Sequence, residues 1–499
     1  MNNYRESIYN LKYENNGRVV VFNFKTGGVV VPDKQDTENF KNVLSNPKKF
    51  DKDDTMLKQL VDYKFVVDSD EDEIGNIKEL HELAIEEAKQ HIGYVIVPTE
   101  YCNFACPYCF IYSYDRPPMS QEVFDGIYNS FILKIEENKK KELELKEKAK
   151  EEGKTEEEIE KIIIPTRVDV SWFGGEPTCA ADSIIKFMDR VLELEKNYTN
   201  VHVGSTMITN GYLLNFDLLK KFVDRKITFF QITLDGNKQT HDQTRYLRGN
   251  KGPTFDTIYK NLLEIKEKST PEMNFNISIR SNFLNSNIDS MLELKDMLKK
   301  DFEDDKRFSN YFHQVYQAEN DTGEIAEKIF GEKDGLDTAC QLNNSYDIEK
   351  LKLSQIEHLY SVLPRPKFHP CFSTNNTYCV TVKGALFACE SMVGEDSKAV
   401  GKLNQDGTME FYDKMFKKWK DSMFNNLTQY KNCIDCKLLP VCIGGCKYNK
   451  IEVLMEGCLA TEDTVMEKLK NYLDVYLLKE HEPKHEEKCN TCQTCNECN

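Results

Sequence analysis

The sequence predicts an α/β fold centred on a partial (β/α)6 barrel of the TIM type, because six strand-like runs alternate with helix-length segments between residues 93 and 318. The runs read YVIVPT, VDVSWF, VHVGSTMI, ITFFQITL, FNISIR and FHQVYQ. Strands that alternate with helices pair in parallel, and such a sheet can curve into part of a barrel. Barrels of this kind carry their active sites at the carboxyl ends of the strands, so the loops after the runs are the expected place for chemistry.

A small α+β module is predicted ahead of the barrel, over residues 1–91. The apolar runs at 19–24 and 29–31 flank Thr26-Gly27-Gly28, which is a β-hairpin signal. Two short helical patterns and a brief strand at 65–67 follow, before the acidic run DSDEDE. Inside the barrel region, the Glu- and Lys-rich stretch 134–161 predicts one long solvated helix.

The predicted domain order is completed by the barrel over 92–318, a connector over 319–369, a cysteine-rich domain over 370–480 and a cysteine-rich tail over 481–499. The connector shows no clear hydrophobic period, whereas cysteines become frequent from Cys371 onward. The chain of 499 residues is long enough for two or three domains with at least one large core.

The overall composition excludes several classes of protein. The 66 basic and 83 acidic side chains give a net charge of −17, which argues against a nucleic-acid partner because phosphate binding needs a basic face. The amino-terminal residues lack the apolar core of a signal peptide, and no apolar run is long enough to span a bilayer. We therefore expect a cytoplasmic protein without a membrane partner. Seventeen cysteines in that compartment indicate metal ligation or thiol chemistry rather than structural disulfides.

Three cysteines follow the first strand of the barrel as Cys102-X3-Cys106-X2-Cys109. Zinc sites are usually built from Cys-X2-Cys pairs, so a zinc site completed by a distant ligand is the weaker alternative. Three thiolates on one loop can instead hold three irons of a 4Fe–4S cube. The fourth iron would then be open to a ligand that takes part in chemistry.

Further motifs lie at the ends of the later strands. Gly174-Gly175-Glu176-Pro177 follows the second strand; glycines allow close backbone approach, and Glu176 can accept hydrogen bonds from a cationic amine. The stretches ITNG, TLDG and SIRSN follow the third, fourth and fifth strands, with Asn210, Thr233 and Arg280. A simple turn or ordinary strand-end packing is the alternative for each stretch.

These motifs together resemble the radical S-adenosylmethionine (radical SAM) family, over roughly residues 93–318. The family binds its cluster through the same three-cysteine pattern with an aromatic residue before the last cysteine, here Tyr108. The resemblance implies that SAM chelates the fourth iron, that Glu176 binds the SAM amine and that Arg280 pairs with the SAM carboxylate. The residues implied in SAM binding are Tyr108, Gly174, Gly175, Glu176, Pro177, Asn210, Thr233 and Arg280. The run with His241, Asp242 and Arg245 is also similar to a family motif, and a purely structural role is its alternative.

The second set of cysteines resembles the seven-cysteine SPASM extension of radical SAM peptide maturases, which holds two auxiliary 4Fe–4S clusters. A zinc ribbon is the alternative for its central four cysteines alone. The resemblance assigns Cys433, Cys436, Cys442 and Cys458 to the distal auxiliary cluster. It assigns Cys371, Cys389 and Cys446 to the first auxiliary cluster, so that three clusters are expected in all.

The chain departs from part of that pattern just before Cys371. Relatives with a fully ligated first auxiliary cluster carry another cysteine there, whereas this chain has LPRPKFHP. Either Cys340 or Cys379 supplies the fourth ligand, or one iron is open, and we favour the open iron because it could bind a substrate thiolate. Cys179 is interpreted as a packed core thiol. The tail contains Cys489, Cys492, Cys495 and Cys498 at a spacing that suits metal binding, which would allow a further cluster. A flexible tail that scavenges metal is the alternative.

The resemblance implies a radical SAM/SPASM enzyme that modifies a cysteine-rich, ribosomally made peptide, with intramolecular thioether crosslinking as the favoured reaction. Expected partners are the precursor peptide and a flavodoxin- or ferredoxin-type electron donor. The module over 1–91 resembles the winged-helix peptide-recognition element of such maturases, and a plain amino-terminal cap is its alternative. Two other functions stay open: a sulfatase-type maturase that makes formylglycine, and a non-catalytic iron–sulfur scaffold.

Overall fold

The computed structural model describes residues 2–109, 111, 117–315, 328–344, 356–368, 371, 373, 375–420, 431–453, 458 and 460–478. The chain forms two compact units. The first comprises Met1–Glu71, Asn344–Pro366 and Glu462–Asn499, and the second comprises Asp72–Asn343 and Lys367–Thr461. The predicted tail, with its four cysteines, and part of the predicted connector lie outside the described residues.

The strands of the described residues are β1 Tyr4–Glu6, β2 Asn10–Asn15, β3 Arg18–Asn23, β4 Val29–Val30, β5 Val66–Asp68, β6 Ile92–Ile96, β7 Thr166–Trp172, β8 Val201–Thr209, β9 Ile227–Thr233, β10 Asn276–Phe283, β11 Phe308–Gln314, β12 Thr377–Val380, β13 Ala385–Phe387, β14 Gly401–Leu403 and β15 Met409–Phe411. The α-helices are α1 Thr37–Ser45, α2 Thr55–Asp62, α3 Glu73–Ala88, α4 Gln121–Glu151, α5 Glu156–Glu160, α6 Ala181–Asn197, α7 Phe216–Val223, α8 Lys238–Thr244, α9 Phe255–Lys268, α10 Ile288–Phe302, α11 Glu332–Asn344, α12 Ile356–Ser361, α13 Asp413–Lys420, α14 Lys431–Ile434, α15 Leu439–Cys442 and α16 Glu462–Leu478.

The first unit is built on an antiparallel sheet in the order β2-β3-β4, with β1 paired to β5 beside it. The hairpin signal is confirmed, because β3 and β4 pair in antiparallel fashion across Gly27, which has a φ of 70°. Every residue of β3 is buried, and α1 and α2 supply apolar side chains such as Phe40 and Leu57 to the same core. The carboxy-terminal helix α16 contacts β2 and β3, so this unit contains both ends of the described chain.

The second unit contains the predicted barrel sheet. Strands β6 to β11 lie side by side in chain order and every neighbouring pair is parallel, which confirms the six parallel strands. Buried residues alternate along β7 and β8, as expected for a sheet with one face against helices. Trp172 on that face packs edge-on against Phe187 of α6.

The same sheet continues beyond β6 through β12, β13, β14 and β15. Strand β12 pairs in parallel with β6, in the register Thr377 to Gly93 and Val380 to Ile96. The cysteine-rich region therefore starts as an extension of the barrel sheet. From the sequence, a separate domain was expected there. This pairing fixes the backbone that leads to Cys389 relative to the first barrel strand.

The single solvated helix expected at 134–161 is wrong in its bounds and in its exposure. Helix α4 begins at Gln121 and ends at Glu151, and a second helix, α5, starts after Gly153, which has a φ of 77°, and after the capping box at Thr155. One face of α4 is buried, including Lys134 and Asn138. Among the described residues, no helix combines the length and the apolar character needed to cross a membrane.

Candidate functional site

The loop after β6 and the loop after β7 lie against each other beyond the carboxyl ends of these strands. Gly175 N donates to Thr99 O at 3.1 Å, and Glu176 N donates to Tyr101 O at 2.8 Å. A Cβ at Gly174 would lie 2.6 Å from Thr99 O, and a Cβ at Gly175 would lie 2.2 Å from Tyr101 O. Both positions therefore require glycine, and the close approach is made to the cysteine loop itself rather than only to a ligand.

Glu176 is buried and joins the end of β7 to the end of β8. Its Oε1 accepts hydrogen bonds from Thr178 N at 2.9 Å, from Thr178 Oγ1 at 2.6 Å and from Thr209 Oγ1 at 2.6 Å. Its Oε2 accepts a hydrogen bond from Asn210 N at 2.7 Å. Burial raises the pKa of Glu176, although these hydrogen bonds oppose the shift. Because each carboxylate oxygen has two lone pairs, Oε2 has one acceptor position for a further donor.

The substitution Glu176→Gln should weaken SAM binding without removing iron. The amide would turn an NH2 group toward donors that now reach a carboxylate, and the lost charge-assisted bond is worth about 1.5–3 kcal/mol. We expect SAM affinity to fall roughly tenfold or more in an equilibrium titration. Glu142→Gln is the matched control, because Glu142 also accepts a backbone hydrogen bond, from Ile164 N at 2.9 Å, but precedes β7 instead of following it. Unchanged SAM affinity in Glu176→Gln would reduce the motif to a structural turn.

The three-cysteine loop is held by the segment 245–248. Ala105 N donates to Tyr246 O at 3.0 Å, and Arg248 Nε donates to Cys102 O at 3.0 Å. Burial raises the pKa of the Cys102 thiol, and it raises that of Cys106 to about 11, against the opposing charge of Arg245. Iron is bound by thiolates, so cluster loading must release these protons.

Tyr108 belongs to a buried network behind the same loop. Its hydroxyl donates to Asp235 Oδ2 and accepts from Arg245 NH1 at 2.8 Å. Asp235 Oδ1 accepts from Asn282 N at 3.0 Å and from Asn282 Nδ2 at 3.1 Å. The network links the cysteine loop to the ends of β9 and β10. It was not predicted from the sequence, although Tyr108 and the aspartate of TLDG both lie in recognised motifs.

The neighbouring His241 and Asp242 are structural. Burial lowers the pKa of His241 to about 3, so the imidazole is neutral; its Nδ1 accepts from Asp235 N at 3.2 Å and its Nε2 pairs with Thr254 Oγ1 at 3.0 Å. Asp242 Oδ1 accepts from Thr254 N and Phe255 N at the start of α9. Of the three residues in this motif, only Arg245 reaches the cysteine loop.

A polar group lines one face of the sheet near the same end. Arg280 is in register with Thr233 on β9 and with Tyr311 on β11, so the three side chains share a face. Arg280 Nε donates to Asn282 Oδ1 at 2.8 Å, and its guanidinium lies 5.9 Å from the centre of the Tyr311 ring. Tyr311 Oη donates to Gln231 Oε1 at 2.7 Å. Tyr311 and Gln231 were not singled out from the sequence, because a strand interior carries no motif.

Asn210 and Cys179 complete the surroundings of the loop. Asn210 Nδ2 donates to Asn103 Oδ1, beside Cys102, at 2.8 Å. The interpretation of Cys179 as a packed core thiol is wrong, because Cys179 is exposed. It lies in the short turn Pro177–Ala180, in which Pro177, Thr178 and Ala180 are buried and the cysteine points outward.

The segments that carry Cys371 and Cys389 meet beside β12. Ser373 forms a parallel bridge with Thr377, and Ser373 Oγ donates to Ala388 O at 2.6 Å. Burial raises the pKa of the Cys371 thiol, and the Cys446 thiol contributes to the same shift. The Cys371 thiol is therefore within electrostatic reach of both Cys389 and Cys446, and the assignment of the three to one cluster stays a prediction.

The other four cysteines of the pattern also act on one another. Burial raises the pKa of Cys442 to about 12, with further contributions from Cys436, Cys433 and Cys458. Lys450 Nζ donates to Cys433 Sγ at 3.4 Å. Over the residues that the structure describes, no three His, Cys, Asp or Glu side chains converge tightly enough to hold a single metal ion. The assignment of these cysteines to clusters therefore stays a prediction from the resemblance to the SPASM extension.

Comparison with known proteins finds a family model that matches part of this chain and relatives that resemble it. Residues 96–298 match the Radical SAM superfamily. The chain is 26% identical over 291 residues to a cysteine-type anaerobic sulfatase-maturating enzyme of Clostridium novyi, covering 56% of this chain and 72% of that protein. It is 24% identical over 427 residues to the radical SAM cyclopropyl synthase TigE of Paramaledivibacter caminithermalis, covering 79% of this chain and 77% of that protein.

Two solved structures resemble this chain at low sequence identity. Native anSMEcpe with bound AdoMet and the Kp18Cys peptide has a TM-score of 0.50 and 15% identity, over 78% of this chain and 98% of that chain. SuiB of Streptococcus suis bound to its precursor peptide SuiA has a TM-score of 0.45 and 15% identity, over 93% of this chain and all of that chain (100%). The first of these likenesses supports the fold described above.

Proposed function

We propose, from the premise that this chain is a radical SAM enzyme, that it matures a ribosomally made, cysteine-rich peptide by forming intramolecular thioether crosslinks. The observation that carries the proposal is the parallel pairing of β12 with β6, which attaches the second cysteine set to the sheet that carries the three-cysteine loop. One sheet thereby supports both predicted redox sites. The two relatives described above, a sulfatase-maturating enzyme and a radical SAM cyclopropyl synthase, support a maturation reaction that uses radical SAM chemistry.

The 4Fe–4S cluster and SAM of a radical SAM enzyme supply a 5′-deoxyadenosyl radical that removes an otherwise inert hydrogen atom. In this proposal, Cys102, Cys106 and Cys109 supply the thiolate ligands, and Arg248 holds their loop through Cys102 O. The acceptor position on Glu176 Oε2 orients the SAM amine. A flavodoxin- or ferredoxin-type protein would deliver the electron.

Arg280 is the proposed partner of the SAM carboxylate. Its Nε is already fixed by Asn282, and its guanidinium packs near the Tyr311 ring, so the side chain is oriented before any ligand binds. Asn282 is in turn bonded to Asp235, which connects this arginine to Tyr108 beside the cysteines. The contacts thus support a single preorganised pocket at the ends of β9 and β10.

The first unit offers a groove for the precursor peptide. The groove has a volume of about 740 Å³ and is lined by β4, by α2 and by Tyr360. Within the described residues, β4 pairs only with β3, so its other edge is available to an added peptide strand. Apolar side chains such as Val30 and Met56 line the groove, and Asp33, Asp36 and Asp62 are also part of its wall. We propose that a segment of the precursor with apolar and basic residues adds to this edge.

The substitution Met56→Glu should weaken precursor binding at least about tenfold, because it places a charge on an apolar wall. SAM cleavage without peptide should be unchanged. Thr55→Glu is the matched control: it adds the same charge to α2 at an exposed position outside the groove. Binding measured by fluorescence anisotropy that is equal in both variants would remove the groove from the proposal.

Formylglycine formation is the second candidate reaction. It is favoured by the likeness to the anaerobic sulfatase-maturating enzyme of Clostridium novyi, which covers more than half of this chain. The non-catalytic scaffold is set aside, because the chain contains a radical SAM domain and its relatives are enzymes.

The experiment that tests the proposed function is co-expression of the chain with any short cysteine-rich open reading frame that sequencing finds beside its gene. Thioether formation predicts a peptide that has lost hydrogen and whose bridged cysteines resist alkylation by iodoacetamide. Formylglycine formation predicts instead an aldehyde that reacts with a hydrazide probe. If the enzyme is reduced and able to cleave SAM but the mass of the peptide does not change, both reactions are contradicted.

A further inference from the structure

The hairpin β12–β13 carries a cysteine that the seven-cysteine pattern does not use. Cys379 on β12 is in register with Phe387 on β13. Cys389 follows two residues later, and its backbone is still extended, with φ −145° and ψ 145°. Because alternate residues of a strand share a face, Cys379 and Cys389 lie on the same face as diagonal neighbours, which in antiparallel sheets are about 7–8 Å apart.

Cys371 is brought to the same place by Ser373. This serine bridges Thr377 of β12 and donates to Ala388 O, next to Cys389. Two of the three cysteines assigned to the first auxiliary cluster, Cys371 and Cys389, therefore flank the strand that carries Cys379. That arrangement follows from one backbone bridge and one side-chain hydrogen bond, both made by Ser373.

Cys379 is a buried thiol to which the seven-cysteine pattern assigns no role. Its side chain is only 2% exposed, and its thiol makes no hydrogen bond to any residue that the structure describes. Burial raises the pKa of this thiol well above its usual value, and Glu390, Cys389 and Cys371 add to the shift, which places these groups within electrostatic reach. A buried cysteine can also serve as a small apolar core residue, so the two roles are distinguished by measuring the cluster itself.

Cys340 is the other candidate for the same position, and the fold separates it from the hairpin. It lies on α11, which is fastened to β11 because Asn343 exchanges hydrogen bonds with the backbone of Phe312. In the order of the sheet, β11 is at one end, and the five strands β10 to β6 lie between it and β12. The chain offers Cys379, and not Cys340, beside Cys371 and Cys389.

We propose that Cys379 is the fourth thiolate ligand of the first auxiliary 4Fe–4S cluster, together with Cys371, Cys389 and Cys446. The inference rests on the assignment of those three cysteines within the proposed function. It replaces the open iron favoured by the sequence with a closed site, which leaves no iron of this cluster for direct capture of a substrate thiolate. Both candidate reactions are compatible with a closed cluster.

The test uses the full chain with Cys102, Cys106 and Cys109 replaced by alanine, so that its spectra report only the auxiliary clusters. A cube with three protein thiolates loses its unligated iron on mild oxidation and gives a three-iron electron paramagnetic resonance signal. We expect no such signal in this parent, a signal when Cys379→Ala is added, and none when the matched control Cys340→Ala is added. A three-iron signal already present in the parent, or absent from Cys379→Ala, would overturn the proposal.

A second measurement on the parent does not depend on how well the Cys379→Ala variant folds. Cyanide or a small thiolate binds an open iron and shifts the spectrum of the reduced cluster. A closed site predicts an unchanged auxiliary spectrum, whereas a shift contradicts it. Neither measurement depends on peptide modification. An enzyme that shows the expected cluster spectra but does not modify the peptide would therefore count against the proposed reaction and not against the ligand assignment. A parent with iron for only one auxiliary cluster would instead refute the shared assignment of Cys371, Cys389 and Cys446.

Discussion

Replacing Cys102, Cys106 and Cys109 together by alanine should abolish SAM cleavage while the auxiliary iron persists. These thiols are on the loop that packs against Gly174 and Gly175 and is linked through Asn103 to Asn210, whereas the second cysteine set lies on other elements. With three cubes expected, reconstituted iron should fall from about twelve to about eight atoms per chain. The 5′-deoxyadenosine formed under reducing conditions, measured by chromatography, should fall to background.

Cys179→Ala is the matched control for this triple variant. Cys179 is a nearby thiol that follows Glu176, but it is exposed and outside the three-cysteine pattern. We expect wild-type SAM cleavage and wild-type iron content. If the triple variant released 5′-deoxyadenosine at the wild-type rate, the three-cysteine loop would not be the SAM site.

Cys389→Ala should stop peptide modification and leave SAM cleavage uncoupled. Cys389 follows β13, which pairs with β12 and β14 among the described strands, so its loss should spare the three-cysteine loop while removing an assigned ligand of the first auxiliary cluster. We expect modified peptide to fall below detection by mass spectrometry, with 5′-deoxyadenosine still formed in the absence of product. Cys340→Ala, which removes a buried thiol elsewhere, should retain both activities. Complete peptide modification by Cys389→Ala would show that this cluster is dispensable.

The barrel was predictable because its signals are local. Each of its six strands is a short apolar run between helical patterns, and the parallel pairing follows from that alternation. The hairpin at Gly27 was predictable for the same reason, since a turn and its two strands occupy adjacent residues. The break between α4 and α5 was also encoded locally, by Gly153 and the capping box at Thr155, but the continuous charge pattern obscured it.

The pairing of β12 with β6 was not predictable, because nothing in either short strand specifies a partner that lies more than half of the chain away. The same limit applies within the candidate site. The family resemblance implied that Tyr108 and Glu176 bind a ligand, but it did not show that Tyr108 is bonded to Asp235 and Arg245. Nor did it show that Glu176 accepts hydrogen bonds from Thr178, Thr209 and Asn210. Such contacts depend on how the loops of different strands meet.

The most direct test of the central claim is the transfer of deuterium from the peptide to 5′-deoxyadenosine. The probe is the cysteine-rich peptide that the co-expression experiment identifies as substrate, made with deuterium at its non-exchangeable carbon positions and incubated with reduced enzyme and SAM. If the enzyme directs its radical at this peptide, mass spectrometry will find deuterium in the 5′-deoxyadenosine, and the label will be lost from the carbon that is modified. Unlabelled 5′-deoxyadenosine formed alongside modified peptide would contradict the account, because the hydrogen would then have come from elsewhere.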